Sequence, residues 1–124
     1  RLVPALTERT NAERLRPDRL RAQVIEAAEQ SGATHVPEVD DPQRLTALLD
    51  RWPAGRALIW CDEGLARAPA LAGGLALPPA PAAVLIGPEG GFSPAERARL
   101  AGLPFARPIR LGPRILRAET AALA

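Results

Sequence analysis

The sequence contains no lysine. All 16 basic residues are arginine, so every side-chain cation of that kind is a planar fork suited to phosphate or carboxylate. The absence removes Walker-type nucleotide binding, whose glycine loop needs a lysine. A lone cysteine, Cys61, excludes a disulfide framework within the chain and fits a reducing compartment. One cysteine and one histidine, His35, cannot build a structural zinc site, and no metal is expected. Ser31 and Ser93 are the only serines, so nucleophilic catalysis is poorly supplied. Ser93 is better used as a helix cap, and Cys61 as a buried structural residue than as half of a Cys-His pair. Methionine is absent and only four residues are aromatic, which leaves the core to Leu, Ile, Val and Ala. No apolar run reaches membrane-spanning length and no signal peptide is visible, so a cytoplasmic protein without membrane contact is expected.

What is present is an apolar fraction of 47% in 124 residues, enough for one domain with one packed core, at a net charge of +2. Leu2-Val3-Pro4-Ala5-Leu6 reads as a strand end, followed by a polar loop, Thr7-Glu8-Arg9-Thr10-Asn11. Pro17 suits the first position of a helix and Gly32 its C-terminal cap, with Leu20, Val24, Ala27, Ala28 and Ser31 at helical spacing. Asp41-Pro42 predicts a second helix start, with Leu45, Leu48, Leu49 and Trp52 as its buried stripe. Ala57-Leu58-Ile59-Trp60-Cys61 is a continuous apolar run, as expected of a strand covered on both faces. Residues 65–82 carry repeated Pro and Gly and read as loop or weak helix. Within the apolar run Ala83-Val84-Leu85-Ile86, Val84 to Ile86 is expected to be a further buried strand. Ser93-Pro94-Ala95-Glu96 is a capping box opening a helix that runs to about Ala101. Residues 107–111 form the last predicted strand. Strands alternating with helices make this an α/β fold, with a mainly parallel sheet flanked by helices.

Two glycine-bearing loops stand at the ends of predicted strands. Gly87-Pro88-Glu89-Gly90-Gly91 follows 83–86, and Gly112-Pro113 follows 107–111 and opens onto a helix. Paired loops of this kind place a ligand site at the carboxyl edge of an α/β sheet. Glu89 occupies the place a phosphate would take, so a neutral or cationic ligand suits the first loop better. Arg107, Arg110, Arg114 and Arg117 cluster in 104–117 without an acid among them, which favours a polyanion such as RNA nearby.

Together the stretches Leu85-Ile86-Gly87-Pro88-Glu89-Gly90-Gly91-Phe92-Ser93 with Glu96, and Leu111-Gly112-Pro113-Arg114-Ile115-Leu116-Arg117-Ala118-Glu119-Thr120-Ala121, resemble the RsmE family. These are 16S ribosomal RNA uridine-N3 methyltransferases of the SPOUT superfamily. Thr7-Glu8-Arg9, Glu26-Ala27-Ala28-Glu29-Gln30-Ser31-Gly32 and Val36-Pro37-Glu38-Val39 also look like the family, so the resemblance spans nearly the whole chain. It implies a SPOUT-type α/β domain with a C-terminal trefoil knot, S-adenosylmethionine as cofactor, a homodimer as working unit, and 16S rRNA or the small ribosomal subunit as partner. On the resemblance, 1–124 is a partial methyltransferase domain: the family's N-terminal PUA-like domain and the first strand and helix are missing, and the C-terminal helix is truncated.

The same resemblance implies a cofactor site made by the loop after Cys61, with Glu63; by Ile86, Gly87, Pro88 and Gly91; and by Leu111, Gly112, Ile115 and Leu116. The implied reaction is methylation of uridine N3, which must lose its proton before it attacks. Arginine stays protonated, so Arg114 or Arg117 is expected to stabilise negative charge on the uracil carbonyls. Glu89 or Glu119 is expected to accept the proton, directly or through water. The rival expectation is a non-catalytic RNA-binding module that uses only the C-terminal arginine cluster; it predicts no cofactor binding.

Overall fold

The computed structural model describes residues 1–11, 15–65, 81–111, 114 and 116–123, with the side chains of Glu119, Ala122 and Leu123 left aside. By internal contacts the chain forms two compact units: Arg1–Leu6 with Thr10–Arg51, and Thr7–Arg9 with Trp52–Ala124.

Unit 1 is a parallel strand pair joined through a helix. Strand β1 (Ala5–Leu6) pairs in parallel with β2 (Gln43–Arg44), in the register Ala5↔Gln43 and Leu6↔Arg44. The pairing is prolonged by a parallel bridge between Leu2 and Val39. Between the strands runs helix α1 (Pro17–Ser31). Pro17 sits in its first turn, where a missing N–H costs nothing, and Gly32 closes it at φ 65°, donating to the carbonyls of Ala28 and Glu29. Of the expected stripe on α1 only Ala28 is buried; Leu20 and Val24 are half-buried, Ala27 and Ser31 are exposed. Helix α2 (Leu45–Asp50) starts three residues later than Asp41-Pro42 predicts. The reason is pairing: the Gln43 N–H donates to the Pro4 carbonyl at 3.0 Å, which holds 43–44 extended as a strand. Its stripe is buried at Leu45 and Leu49 and half-buried at Leu48.

Unit 2 is a three-stranded parallel sheet in the order β4-β3-β5, formed by β3 (Ala57–Cys61), β4 (Ala82–Leu85) and β5 (Ala106–Ile109). β3 is central, and Leu58, Ile59 and Trp60 are all buried, which explains its unbroken apolar run. β4 departs from the expected buried strand. It is an edge among the described strands, its exposure alternates along the chain, and Val84 remains 63% exposed. Helix α3 (Pro94–Gly102) packs on β5 and contributes Leu100, which is fully buried. Its start is the predicted capping box: Ser93 Oγ accepts from Glu96 N at 3.2 Å and Glu96 Oε2 accepts from Ser93 N at 2.9 Å. Phe92 meets Trp60 edge to face at 5.8 Å, and Trp52 stacks on Phe105 at 5.7 Å. The strand expected over 107–111 is realised as 106–109, and the last described element is helix α4 (Ala118–Leu123). Residues 66–80, most of the Pro- and Gly-rich stretch, lie outside the described residues. Among the described residues no helix is long and apolar enough to cross a membrane.

Candidate cofactor site

Because β3, β4 and β5 are parallel, their carboxyl ends share one edge, and a cavity of about 210 Å³ opens there. Cys61, Asp62 and Glu63 line it from the end of β3. Ile86, Gly87, Pro88, Glu89, Gly91 and Phe92 line it from the loop after β4. The third wall follows β5: Ile109, Arg110, Leu111, Arg114, Leu116 and Arg117, then Ala118 and Ala121 of α4.

Of the residues singled out in the sequence, Cys61, Glu63, Ile86, Gly87, Pro88, Glu89, Gly91, Leu111, Arg114, Leu116 and Arg117 therefore surround one space. Gly112 and Ile115 lie outside the described residues, as does the side chain of Glu119, whose backbone belongs to α4. Arg107 is exposed on β5 and does not reach the cavity wall, whereas Arg110, Arg114 and Arg117 do. The arginine cluster thus divides by position: the strand residue is apart from the cavity and those past the strand end border it.

The loop after β4 is shaped by close packing. The Gly91 N–H donates to the Pro88 carbonyl at 2.8 Å, and Gly91 takes φ +65°, a conformation that disfavours any side chain. A Cβ there would also stand 1.8 Å from Glu63 Oε1. At Gly87 a Cβ would meet the Phe92 ring at 3.0 Å. The loop is tied down by the short N-terminal segment of unit 2. Arg9 Nη1 donates to the Gly90 carbonyl at 2.6 Å, and Glu8 N donates to Glu96 Oε1 at 2.9 Å. Glu96 is buried, and its carboxylate accepts from two backbone N–H groups, one closing the cap of α3 and one anchoring 7–9. Burial pushes the Cys61 thiol up from its ordinary value, so it is neutral and weakly nucleophilic at the cavity wall.

Sequence reasoning missed two polar residues here. Asp62, 8% exposed, accepts from Gly64 N at 2.9 Å and pairs with Arg97 Nη2 of α3 at 2.8 Å. An acid directly after a wholly apolar strand was the available signal for Asp62. Nothing local marks Arg97, because its partner is 35 residues away. Arg9 stands in the sequence within a polar loop and the family-like stretch Thr7-Glu8-Arg9, with nothing to mark its contact with Gly90.

Chemically the cavity combines apolar walls (Ile86, Phe92, Leu111, Leu116), a glycine loop whose backbone is approachable, an acid at Glu63 and a rim of arginines. Apolar walls take a flat ring, backbone groups read its edge, and a carboxylate accepts from hydroxyl or amino donors or faces a cation.

A family model described as an RNA methyltransferase domain matches residues 1–124. Among solved structures, ribosomal RNA small subunit methyltransferase E from Neisseria gonorrhoeae, bound to S-adenosyl methionine, is 33% identical. The match covers 97% of this chain and 49% of that one, with a TM-score of 0.75. A methyltransferase structure from Legionella pneumophila, in complex with the same cofactor, is also 33% identical over 98% of this chain and 50% of that one, with a TM-score of 0.68. The chain spans about half the length of these relatives. The match of the family model over residues 1–124 shows that the chain belongs to the RNA methyltransferase domain family.

Proposed function

We propose that this protein uses S-adenosylmethionine to methylate N3 of uridine in small-subunit (16S) ribosomal RNA. The observation that carries the reading is the cavity at the carboxyl edge of the sheet, where the glycine loop and the arginine-bearing loop meet. Its donor set fits the cofactor. Ile86, Leu111 and Leu116 supply apolar surface for the adenine, and the backbone of 87–91 supplies polar groups at close approach. Glu63 supplies an acceptor for hydroxyls. Bound there, the cofactor supplies an electrophilic methyl group on a sulfonium sulfur.

The chain's own residues then do the rest. Arg114 and Arg117, at the cavity rim, hold negative charge on the uracil carbonyls as the N3 proton leaves. Glu89, exposed beside the same cavity, is placed to accept that proton directly or through water; Glu119 is the other acid proposed for this role. Arg110 adds positive charge for the RNA backbone. Family membership further supports a C-terminal trefoil knot, a homodimer and a cytoplasmic location as parts of this proposal, with 1–124 as a partial SPOUT domain.

The test is methyl transfer to small-subunit RNA by the full-length protein at two salt concentrations. Arg114→Lys and Arg117→Lys keep the charge and lose the planar fork. Turnover should fall about a hundredfold or more, as for a lost oxyanion donor, while cofactor affinity is nearly unchanged. Normal turnover in both variants would leave these arginines with RNA attraction alone. Absence of S-adenosylmethionine binding by the unaltered protein would favour the non-catalytic RNA-binding module.

A further inference from the structure

Unit 2 contains a polar cluster that the proposed chemistry does not use: Asp62, Gly64 and Arg97. Asp62 is the first residue past β3 and is buried. Its Oδ1 accepts from Gly64 N at 2.9 Å, which folds residues 63–65 back into a single 3₁₀ turn. From α3, Arg97 Nη2 lies 2.8 Å from Asp62 Oδ1 and 3.1 Å from Oδ2. On the way it passes directly over Gly64: a Cβ there would stand 1.8 Å from Arg97 Nη2 and 2.6 Å from its Cζ. The guanidinium is the end of a flexible side chain and could move, but moving it would break the pair with Asp62. The turn is therefore held from within by Asp62 and from outside by Arg97.

What the turn presents is Glu63. Its carboxylate lies against Gly91, in the space a side chain at Gly91 would fill, and both residues line the cavity. Glu63 is exposed, so its own packing does little to fix it; the backbone of the turn sets where its side chain starts.

We propose that Arg97 is a positioning residue for the cavity: through Asp62 and Gly64 it fixes the 63–65 turn so that Glu63 stands beside Gly91 and accepts hydrogen bonds from the hydroxyls of a nucleoside ligand. The inference rests on the reading of the cavity as an S-adenosylmethionine site. It goes beyond that reading by assigning a role to a helix residue 35 positions from its partner and absent from the cavity wall.

The experiment is a double-mutant cycle on the full-length protein, with S-adenosylmethionine affinity measured by calorimetry. Glu63→Ala and Arg97→Ala should each weaken binding about tenfold, the size of one hydrogen bond to a charged group. The double variant should bind no more weakly than either single one, because both remove the same contact. Additive losses of about a hundredfold would overturn the proposal, since Arg97 would then act on the fold and not through Glu63. Unchanged affinity in Arg97→Ala would overturn it too. Should Arg97→Ala fail to fold, Arg97→Lys serves: weaker binding with Glu63 present and no further loss in the Glu63→Ala background is expected, and equal loss in both backgrounds overturns it. A cofactor-free readout is exchange of the Gly64 amide hydrogen, which should quicken in Arg97→Lys; unaltered protection counts against the lock. An unaltered protein that does not bind S-adenosylmethionine removes the site reading and this inference with it. Binding by the unaltered protein with additive losses removes the inference alone.

Discussion

Charge is used in opposite ways by the two units. In unit 1 the ion pairs are on the surface: Arg1 with Asp40, and Arg21 with both Asp18 and Asp41, the arginines being 65% and 43% exposed. In unit 2 Asp62, Ser93 and Glu96 are buried, and each accepts from backbone N–H groups that begin or anchor a loop. Exposed pairs gain little over water and are screened by salt. Buried acceptors are different, because removing one leaves buried or part-buried donors without their partner. The apolar residues divide less sharply. Among the described residues unit 1 exposes Leu2, Val3, Ile25 and Val36 and buries Ala28, Leu45 and Leu49, whereas unit 2 exposes Val84 and buries Leu58, Ile59, Trp60, Phe92 and Leu100. The unit that carries the cavity is thus the one whose polar groups shape loops.

The largest expected effect tests the apolar half of that comparison. Leu100 is fully buried on α3, so Leu100→Ala should destabilise unit 2 by about 2–5 kcal/mol. A change at an exposed position of unit 1, Ile25→Ala on α1, should stay within about 0.5 kcal/mol. Denaturant unfolding measures both. Similar losses at the two positions would break the distinction.

Next comes the buried acceptor. Glu96→Ala leaves the N–H groups of Ser93 and Glu8 without their partner and should cost about 2 kcal/mol. Glu96→Gln retains one acceptor oxygen and should cost less. The loss should be visible as faster amide exchange at Glu8 and Ser93. An equal cost for Gln and Ala would show that the charge, not the number of acceptors, holds the loop.

These contrasts also mark what was legible in the sequence. The α/β character, β3, the capping box at Ser93 and the Pro17-to-Gly32 helix were readable because each rests on local signals: an unbroken apolar run, a Ser-x-x-Glu spacing, a proline and a glycine at helix ends. The start of α2 was misplaced because Asp41-Pro42 is a good local helix signal overridden by pairing of 43–44 with 5–6. Val84 was expected to be buried because a short apolar run does not reveal whether its strand is central or at an edge. The cavity wall was largely legible, since strand ends and glycine loops are sequence features and a parallel sheet brings them together. Arg97, and the Arg9 contact with Gly90, were not: they depend on partners far along the chain.

A third expectation concerns Cys61, where stability should not change but reactivity should. Burial raises its pKa, so the thiolate fraction at pH 7.5 is below that of a free thiol. Alkylation by iodoacetamide should be slow, should rise with pH beyond the ordinary thiol range, and should slow further with S-adenosylmethionine present, because Cys61 lines the cavity. Mass spectrometry follows the adduct. Rapid modification, indifferent to the cofactor, would place the thiol outside the occupied space.

The smallest effect is expected at Asp40, and its sign is fixed. Hydrogen bonds from Arg1 Nε, at 2.9 Å to Oδ1 and 3.0 Å to Oδ2, hold the Asp40 carboxyl below its ordinary range, against a lesser opposing effect of desolvation. A carboxyl whose folded pKa is depressed stabilises the fold above its unfolded pKa, about 3.9. That contribution is lost as pH falls through the lower folded value. Asp40→Asn should therefore melt slightly below the unaltered protein at neutral pH and together with it in strong acid. The neutral-pH gap should close in 1 M salt, where the Debye length is about 3 Å. At neutral pH and low salt Asp62→Asn should cost clearly more, because Asp62 is buried and accepts from Gly64 as well as Arg97. Melting curves for the two variants at three pH values and two salt concentrations decide it. An Asp40 effect equal to that of Asp62, or one that survives high salt, would mean that the surface pairs of unit 1 hold its fold as the buried acceptors hold unit 2.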